Sequence, residues 1–214
     1  MPPNTPRPRR DLLLLRHGET EWNVAGRWQG WLDVALAAEG ELQARRRGEA
    51  LRLDAARFVA VASSDLTRAR RTAELITAAI GGPEVVTDAG FRERCGGRFE
   101  GLDAAAIDAG WPGFRDRWRA GLEDAPPEGE SDATVWSRFA EALDRLDRLV
   151  PAGPMLVVTH GGVLRVAAER SGIPTRSVTP NVGGRWYGRD GERLHAGDEI
   201  RPLPDTDHTK PAIE

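Results

Sequence analysis

Two histidines stand at matching places in this chain, each at the end of a short apolar run. Arg16-His17-Gly18 follows Leu12-Leu13-Leu14-Leu15, and His160-Gly161-Gly162 follows Met155-Leu156-Val157-Val158-Thr159. A third run, Phe58-Val59-Ala60-Val61-Ala62, ends in Ser63-Ser64-Asp65, with Arg68 just beyond it. An imidazole pressed against a permanent cation, with no metal-ligand spacing around it, suits nucleophilic attack on an anionic substrate. Taken singly, His17 reads equally well as a solvated strand-end histidine. The repetition of the pattern is what points to a site.

The elements that must position these residues follow from the same runs. All three are apolar throughout rather than alternating, as expected of strands buried on both faces of a parallel sheet. Parallel strands end on one edge, and ligands bind at that edge in open α/β sheets. His17, His160, Arg16 and Arg68 can therefore meet in one cleft. The expected architecture is α/β: a three-layer αβα sandwich with a mostly parallel central sheet and a small cap insertion.

Between the strands, periodicity predicts a helix from Glu39 to about Leu53, with a weak apolar face of Leu42, Ala50 and Leu53. A second helix carries Leu66, Ala69, Ala73, Ile76 and Ile80 and stops at Gly81-Gly82-Pro83. Val135, Phe139, Leu143, Leu146 and Val150 form a clear amphipathic helix, with Ser131 or Asp132 as its N-cap. A further helix runs from His160 to about Ser171, and Arg185 to His195 reads as a hairpin turning at Asp190-Gly191. Residues 92–130, rich in Gly, Pro, Trp and charge, read as the cap, with one short helical candidate from Phe114 to Leu122. Residues 1–10 read as a flexible arm, 11–201 as one domain and 202–214 as a disordered tail.

Composition bounds the function. A chain of 214 residues with a formal net charge of -3 and no basic stripe among aromatics is a poor nucleic-acid binder. No stretch reaches transmembrane length, so no membrane partner is expected. One cysteine, Cys95, excludes an internal disulfide and fits a reducing cytoplasm. The abundance of Arg and Ala points to a GC-rich bacterial genome. No His-Glu-x-x-His or Asp-x-Asp cluster suggests a metal, and no cofactor is implied. Cys95 reads as a space-filler, His195 and His208 as solvated, and Trp28 and Trp31 as neighbours of the site mouth.

The chain resembles the histidine phosphatase superfamily, which includes the phosphoglycerate mutases. Arg16-His17-Gly18-Glu19-Thr20 carries the first block, continued by Asn23 and Gly26-Arg27-Trp28-Gln29-Gly30. Ser64-Asp65-Leu66 with Arg68-Ala69 and Thr72-Ala73 resembles the second block. Arg92-Glu93 with Glu100-Gly101 resembles the third, and His160-Gly161-Gly162 the fourth. Four blocks in order, spanning roughly 12 to 197, are far more specific than any one of them. The resemblance implies that Glu93 is the general acid and base; its residue type alone would equally suit pairing with Arg92 or Arg94. It also implies that Asn23 and Gln29 hydrogen-bond phosphate or substrate, with Gly30 and Gly161 allowing close backbone approach. Asn23 reads also as a turn former.

The chemistry is coherent without the family. A phosphoryl group in flight spreads charge over three equatorial oxygens. Arg16 and Arg68 offer planar forks for them, and His160 and the N–H groups after it offer further donors. Neighbouring cations keep His17 unprotonated, and its second nitrogen should donate to a nearby carbonyl. The expected activity is metal-independent hydrolysis of a small phosphomonoester through a phosphohistidine on His17. A bisphosphoglycerate-dependent phosphoglycerate mutase and a catalytically silent phospho-ligand binder are the alternatives. The resembled mutases are usually longer and carry an Arg-Arg pair in the insertion, where this chain has Arg115, Arg117 and Arg119 alternating with Asp116 and Trp118. A homodimer is compatible with the sequence.

Overall fold

The four-leucine run is the centre of the sheet. The computed structural model describes residues 10–53, 58–150, 152–174, 178–191, 193–201 and 203. Its strands are β1 (Arg10–Arg16), β2 (Ala60–Ser63), β3 (Val85–Thr87), β4 (Met155–Thr159), β5 (Gly184–Asp190) and β6 (Arg193–Ile200). Its helices are α1 (Glu21–Val24), α2 (Ala38–Leu53), α3 (Thr67–Ile80), α4 (Ala104–Gly110), α5 (Phe114–Arg119), α6 (Asp132–Leu149) and α7 (Gly161–Arg170). The six strands lie in the order β3-β2-β4-β1-β5-β6. The first four of these are mutually parallel, and β5 and β6 close one edge as an antiparallel hairpin.

Alternate leucines of β1 serve opposite faces. Leu12 and Leu14 pack with Val135, Phe139 and Leu143 of α6 and Val163 and Ala167 of α7. Leu13 and Leu15 pack with Leu51 of α2 and Ala69, Ala73 and Ile76 of α3. All four leucines are fully buried, which explains a strand with no polar alternation. The result is an αβα sandwich. Residues 92–130 hold a separate apolar cluster of Phe99, Ile107 and Phe114, flanked by Trp28, Trp111 and Trp118.

Several sequence expectations need correction. Helix α2 does not bury Leu42 and Leu53, which are 41% and 76% exposed. It buries Gly40, Ala44, Gly48 and Leu51, together with Gln43 and Arg47. The small residues let α2 approach α3 closely: a Cβ on Gly48 would lie 2.6 Å from the Ala79 methyl. Gln43 and Arg47 are buried because backbone groups need them, as described below. In the insertion, α5 stops at Arg119 rather than Leu122, and α4, which periodicity missed, precedes it. Asp103 caps α4 by accepting from Ala106 N at 2.8 Å. Arg10, placed in the arm by sequence, is the first residue of β1. Residues 1–9, 202 and 204–214, including His208, lie outside the described residues.

Candidate active site

The ends of β1 and β4 are locked side by side, and this brings the two histidines together. Arg16 pairs with Thr159 in register, and His17 N donates to Thr159 O at 2.9 Å. The imidazoles face each other with centroids 5.1 Å apart. His17 is 2% and His160 0% exposed. His17 Nδ1 lies 2.7 Å from Gly18 O. A carbonyl only accepts, so Nδ1 carries the proton and the Nε2 lone pair is left free. Burial, then Arg68, then Arg16 hold the His17 pKa well below the ordinary value of 6.5. Burial and Arg68 do the same for His160. Both ring nitrogens of His160 are buried without a hydrogen-bond partner among the described residues.

A cavity of about 1430 Å³ opens above this pair. Arg16, His17, Asn23, Gln29, Gly30, Arg68 and Glu93 line it. These residues come from five places in the chain. His160 lies beneath, against the His17 ring. Gly161 is buried at the start of α7 and does not line the cavity; Gly162 does.

Arg68 is fully buried and is aimed by two carbonyls. Its Nη1 donates to Leu32 O at 2.9 Å and its Nη2 to Gly30 O at 2.8 Å. Burial pushes its pKa down to about 10, so it remains a cation at neutral pH. Arg16 Nη1 donates to Thr179 O at 2.7 Å. Gly30 adopts φ 50°, and a Cβ there would lie 2.0 Å from Glu100 Oε1. That oxygen accepts from Trp31 N and Gly96 N, both at 2.9 Å, and so shapes the turn that holds Arg68. Gln29 is 8% exposed, and its Oε1 is buried without a hydrogen-bond partner among the described residues.

Asn23 is the turn former that its residue type suggested. Its Oδ1 accepts from Thr20 N at 3.1 Å while Thr20 Oγ1 accepts from Asn23 N at 3.1 Å, a capping box for α1. Its oxygen is thereby committed to protein donors while the residue lines the cavity.

Glu93 does not pair with either neighbouring arginine. Arg92 binds Asp65 through two bonds of 2.8 and 2.5 Å, and Arg94 is bonded to Asp132. Glu93 Oε1 accepts from Arg94 N at 2.7 Å, and Oε2 accepts from Gly162 N at 3.2 Å in the first turn of α7. An anionic side chain is favoured at that helix end.

Sequence reading missed Arg138 and Gln43, which help to hold this arrangement, and gave Thr72 no role beyond its place in the second block. Arg138 donates to the carbonyls of Gly90, Arg92 and Glu93 at 2.7 to 2.9 Å and to both oxygens of Glu130 at 2.8 Å. Gln43 Oε1 accepts from Glu19 N at 3.0 Å, and Thr72 Oγ1 from Gly18 N at 3.0 Å. Gln43 and Arg138 look like surface positions of amphipathic helices. Their only signal was a polar residue beside apolar ones on the buried face. Among the described residues, no group of three or more His, Cys, Asp or Glu side chains is placed to hold a metal ion.

Residues 12–176 match the histidine phosphatase superfamily (branch 1). The chain belongs to that superfamily. Phosphoglycerate mutase-like protein 4 of Arabidopsis thaliana is 37% identical over 170 residues, covering 78% of this chain and 74% of the relative. A 2,3-bisphosphoglycerate-dependent phosphoglycerate mutase of Methylobacterium is 36% identical over 175 residues, covering 78% and 83%. A mycobacterial glucosyl-3-phosphoglycerate phosphatase, solved with VO3, superposes with a TM-score of 0.77 at 31% identity, over 91% of this chain and 100% of that one. Histidine phosphatase relatives thus include both phosphatases and mutases. Among the described residues, no helix is long and apolar enough to cross a membrane.

Proposed function

We propose that this chain is a metal-independent phosphomonoesterase that works through a phosphohistidine on His17. The observation that carries the reading is the His17 tautomer: Nδ1 is spent on Gly18 O at 2.7 Å, so a neutral Nε2 is free beside Arg16 and Arg68. The lone pair of Nε2 attacks phosphorus as the ester P–O bond breaks. Arg16, Arg68 and one N–H of His160 meet the charge on the equatorial oxygens. Glu93, in its acid form, delivers a proton to the leaving oxygen. It then takes a proton from water, which attacks phosphorus, breaks the P–N bond and returns His17 to its neutral state. Asn23 and Gln29 orient the phosphate or the substrate alcohol.

The insertion favours hydrolysis over transfer to a second hydroxyl. Arg117 Nε is bonded to Glu123 at 2.8 Å, and Arg119 Nη1 to Asp116 at 2.8 Å. Arg115 lines the cavity with Asp108 Oδ1 3.6 Å from its Nε, so each of the three alternating arginines stands beside a carboxylate. The substrate is a small phosphorylated metabolite, and phosphorylated glycerates and their glycosides head the candidates because of the relatives found. One cysteine supports a reducing cytoplasm as the setting.

The test is inorganic phosphate release, with EDTA present, from a panel of phosphomonoesters that includes 3-phosphoglycerate and glucosyl-3-phosphoglycerate. Release from a few of them, abolished in His17→Ala with the fold intact, is the expected result. Conversion of 3-phosphoglycerate to its 2-isomer after addition of a bisphosphoglycerate primer would replace the phosphatase reading with a mutase. Binding without either reaction would make the protein a silent phospho-ligand binder.

A further inference from the structure

The peptide between His17 and Gly18 is gripped from both sides. Its N–H, on Gly18, donates to Thr72 Oγ1 at 3.0 Å, and the Thr72 hydroxyl in turn donates to Arg68 O at 2.7 Å. Its carbonyl, on His17, accepts from Asn181 Nδ2 at 3.0 Å and from Val182 N at 3.4 Å. The N–H and C=O of a trans peptide point in opposite directions, so these partners hold one plane between them. That plane sets where the His17 ring can lie, since the ring is also tied at Nδ1 to Gly18 O at 2.7 Å.

The segment that supplies Asn181 is built at a conformational cost. Val182 is fully buried and adopts φ 50°, a left-handed conformation that β-branched residues almost never take. Such strain persists only where the surroundings over-determine it. Here Arg47, a buried cation that the chemistry does not use, donates from Nε to Val182 O at 2.9 Å. Arg16 binds the same segment, through N to Gly183 O at 2.9 Å and Nη1 to Thr179 O at 2.7 Å. Asn181 Nδ2 also reaches Asn23 Oδ1, at 3.4 Å. One strained turn thus touches Arg16, His17 and Asn23 together.

We propose that Asn181 is a positioning residue for the nucleophile: its amide fixes the His17–Gly18 peptide plane opposite Thr72, and with it the line along which His17 Nε2 meets phosphorus. The proposal rests on the phosphohistidine reading. Misplacing a nucleophile by a fraction of an ångström costs rate steeply while leaving ground-state binding almost intact. Asn181 also lines the cavity, so the rival is direct contact with the bound anion.

Two anions separate these roles. Vanadate becomes five-coordinate by bonding the nucleophile, so its affinity depends on the Nε2 approach; phosphate binds as a tetrahedral anion and does not. Affinities of both are measured by calorimetry for wild type, Asn181→Ala and Thr72→Val, with Ile76→Val as a control that weakens the core alone. In both test variants vanadate affinity falls about tenfold, phosphate affinity changes less than twofold, and kcat falls about tenfold with KM nearly constant. Ile76→Val lowers the melting temperature by a few degrees and keeps the vanadate-to-phosphate ratio. Should Asn181→Ala not fold, Thr72→Val carries the same test from the other side of the peptide. Equal weakening of both anions in Asn181→Ala would assign direct contact and overturn the proposal, as would an unchanged ratio with unchanged kcat. A wild type that shows no preference for vanadate would refute the phosphohistidine reading itself.

Discussion

Lowering the pH from 8 to 5.5 should destabilise this protein through the two histidines beneath the cavity. Both are buried, and burial together with Arg68 holds their pKa values well below 6.5. In the unfolded chain each protonates near the ordinary value of about 6.5. The unfolded state therefore binds more protons at acid pH. The stability each neutral histidine lends is complete above about 6.5 and drains as pH falls toward the folded value. A histidine that stays neutral in the fold at pH 5.5 gives up RT ln(1 + 10), about 1.4 kcal/mol, and the pair about 2.8 kcal/mol. Against the roughly 5–15 kcal/mol of an ordinary domain, that is a large share. The assay is urea unfolding of wild type and of the His17→Gln/His160→Gln variant at several pH values between 8 and 5.5. Carboxylates titrate alike in both proteins and cancel. Wild type should lose about 2.8 kcal/mol more than the double variant over this range. Equal losses would mean that the folded protein accepts these protons as readily as the unfolded chain does, and the neutral nucleophile would be refuted.

Glu93→Gln should lower kcat for alkyl phosphates about a hundredfold and for an aryl phosphate less than tenfold, because an aryl oxide leaves without a proton; steady-state kinetics on both decides, and equal losses would remove Glu93 from the acid role. Gly30→Ala should cost about 1–3 kcal/mol, since φ is 50° and the new Cβ would lie 2.0 Å from Glu100 Oε1; an unshifted thermal melt would show that this turn is not under constraint. Arg138→Met should cost about 3 kcal/mol by stranding the Glu130 carboxylate, whose side chain is 12% exposed. A double variant that adds Glu130→Gln should recover part of that loss in urea unfolding, and no recovery would mean the two residues act independently.

What was legible in the sequence was whatever the sheet dictates. Leu12 to Leu15 and Met155 to Val158 are too short for a core helix and lack polar alternation, so they read as doubly buried strands, and parallel strands bring their following residues to one edge. That placed His17 beside His160 before any coordinates. The α2 face was misread because hydrophobicity was taken as the sign of burial. Close approach of backbone selects small side chains instead: Gly48 faces Ala79 and Ile76 of α3, and Gly40 faces the Glu19 backbone, and glycine carries no hydrophobic signal. Arg138, Gln43 and Asn181 were invisible for a related reason. Each is a polar residue, buried (Gln43) or partly buried (Arg138, Asn181), that satisfies a particular backbone group, and which group needs satisfying depends on contacts distant in sequence.

The same distinction explains how the site keeps its charge. Arg92 and Arg94, on either side of Glu93, each hold a carboxylate, Asp65 and Asp132 respectively. Arg68 is aimed instead by the carbonyls of Gly30 and Leu32. A carboxylate partner would have to be displaced, or its negative charge endured, when a phosphate arrived. A carbonyl dipole orients the guanidinium without cancelling its charge, so the full charge stays available to an anion in the cavity. The cost appears in Arg68 itself, whose pKa burial has pushed down to about 10, and in the nitrogens of His160, which have no hydrogen-bond partner among the described residues. Both are groups that a protein selected for stability alone would pair. In the proposed mechanism a bound phosphate accepts from Arg68 and from one N–H of His160, so part of that cost returns as affinity for the anion.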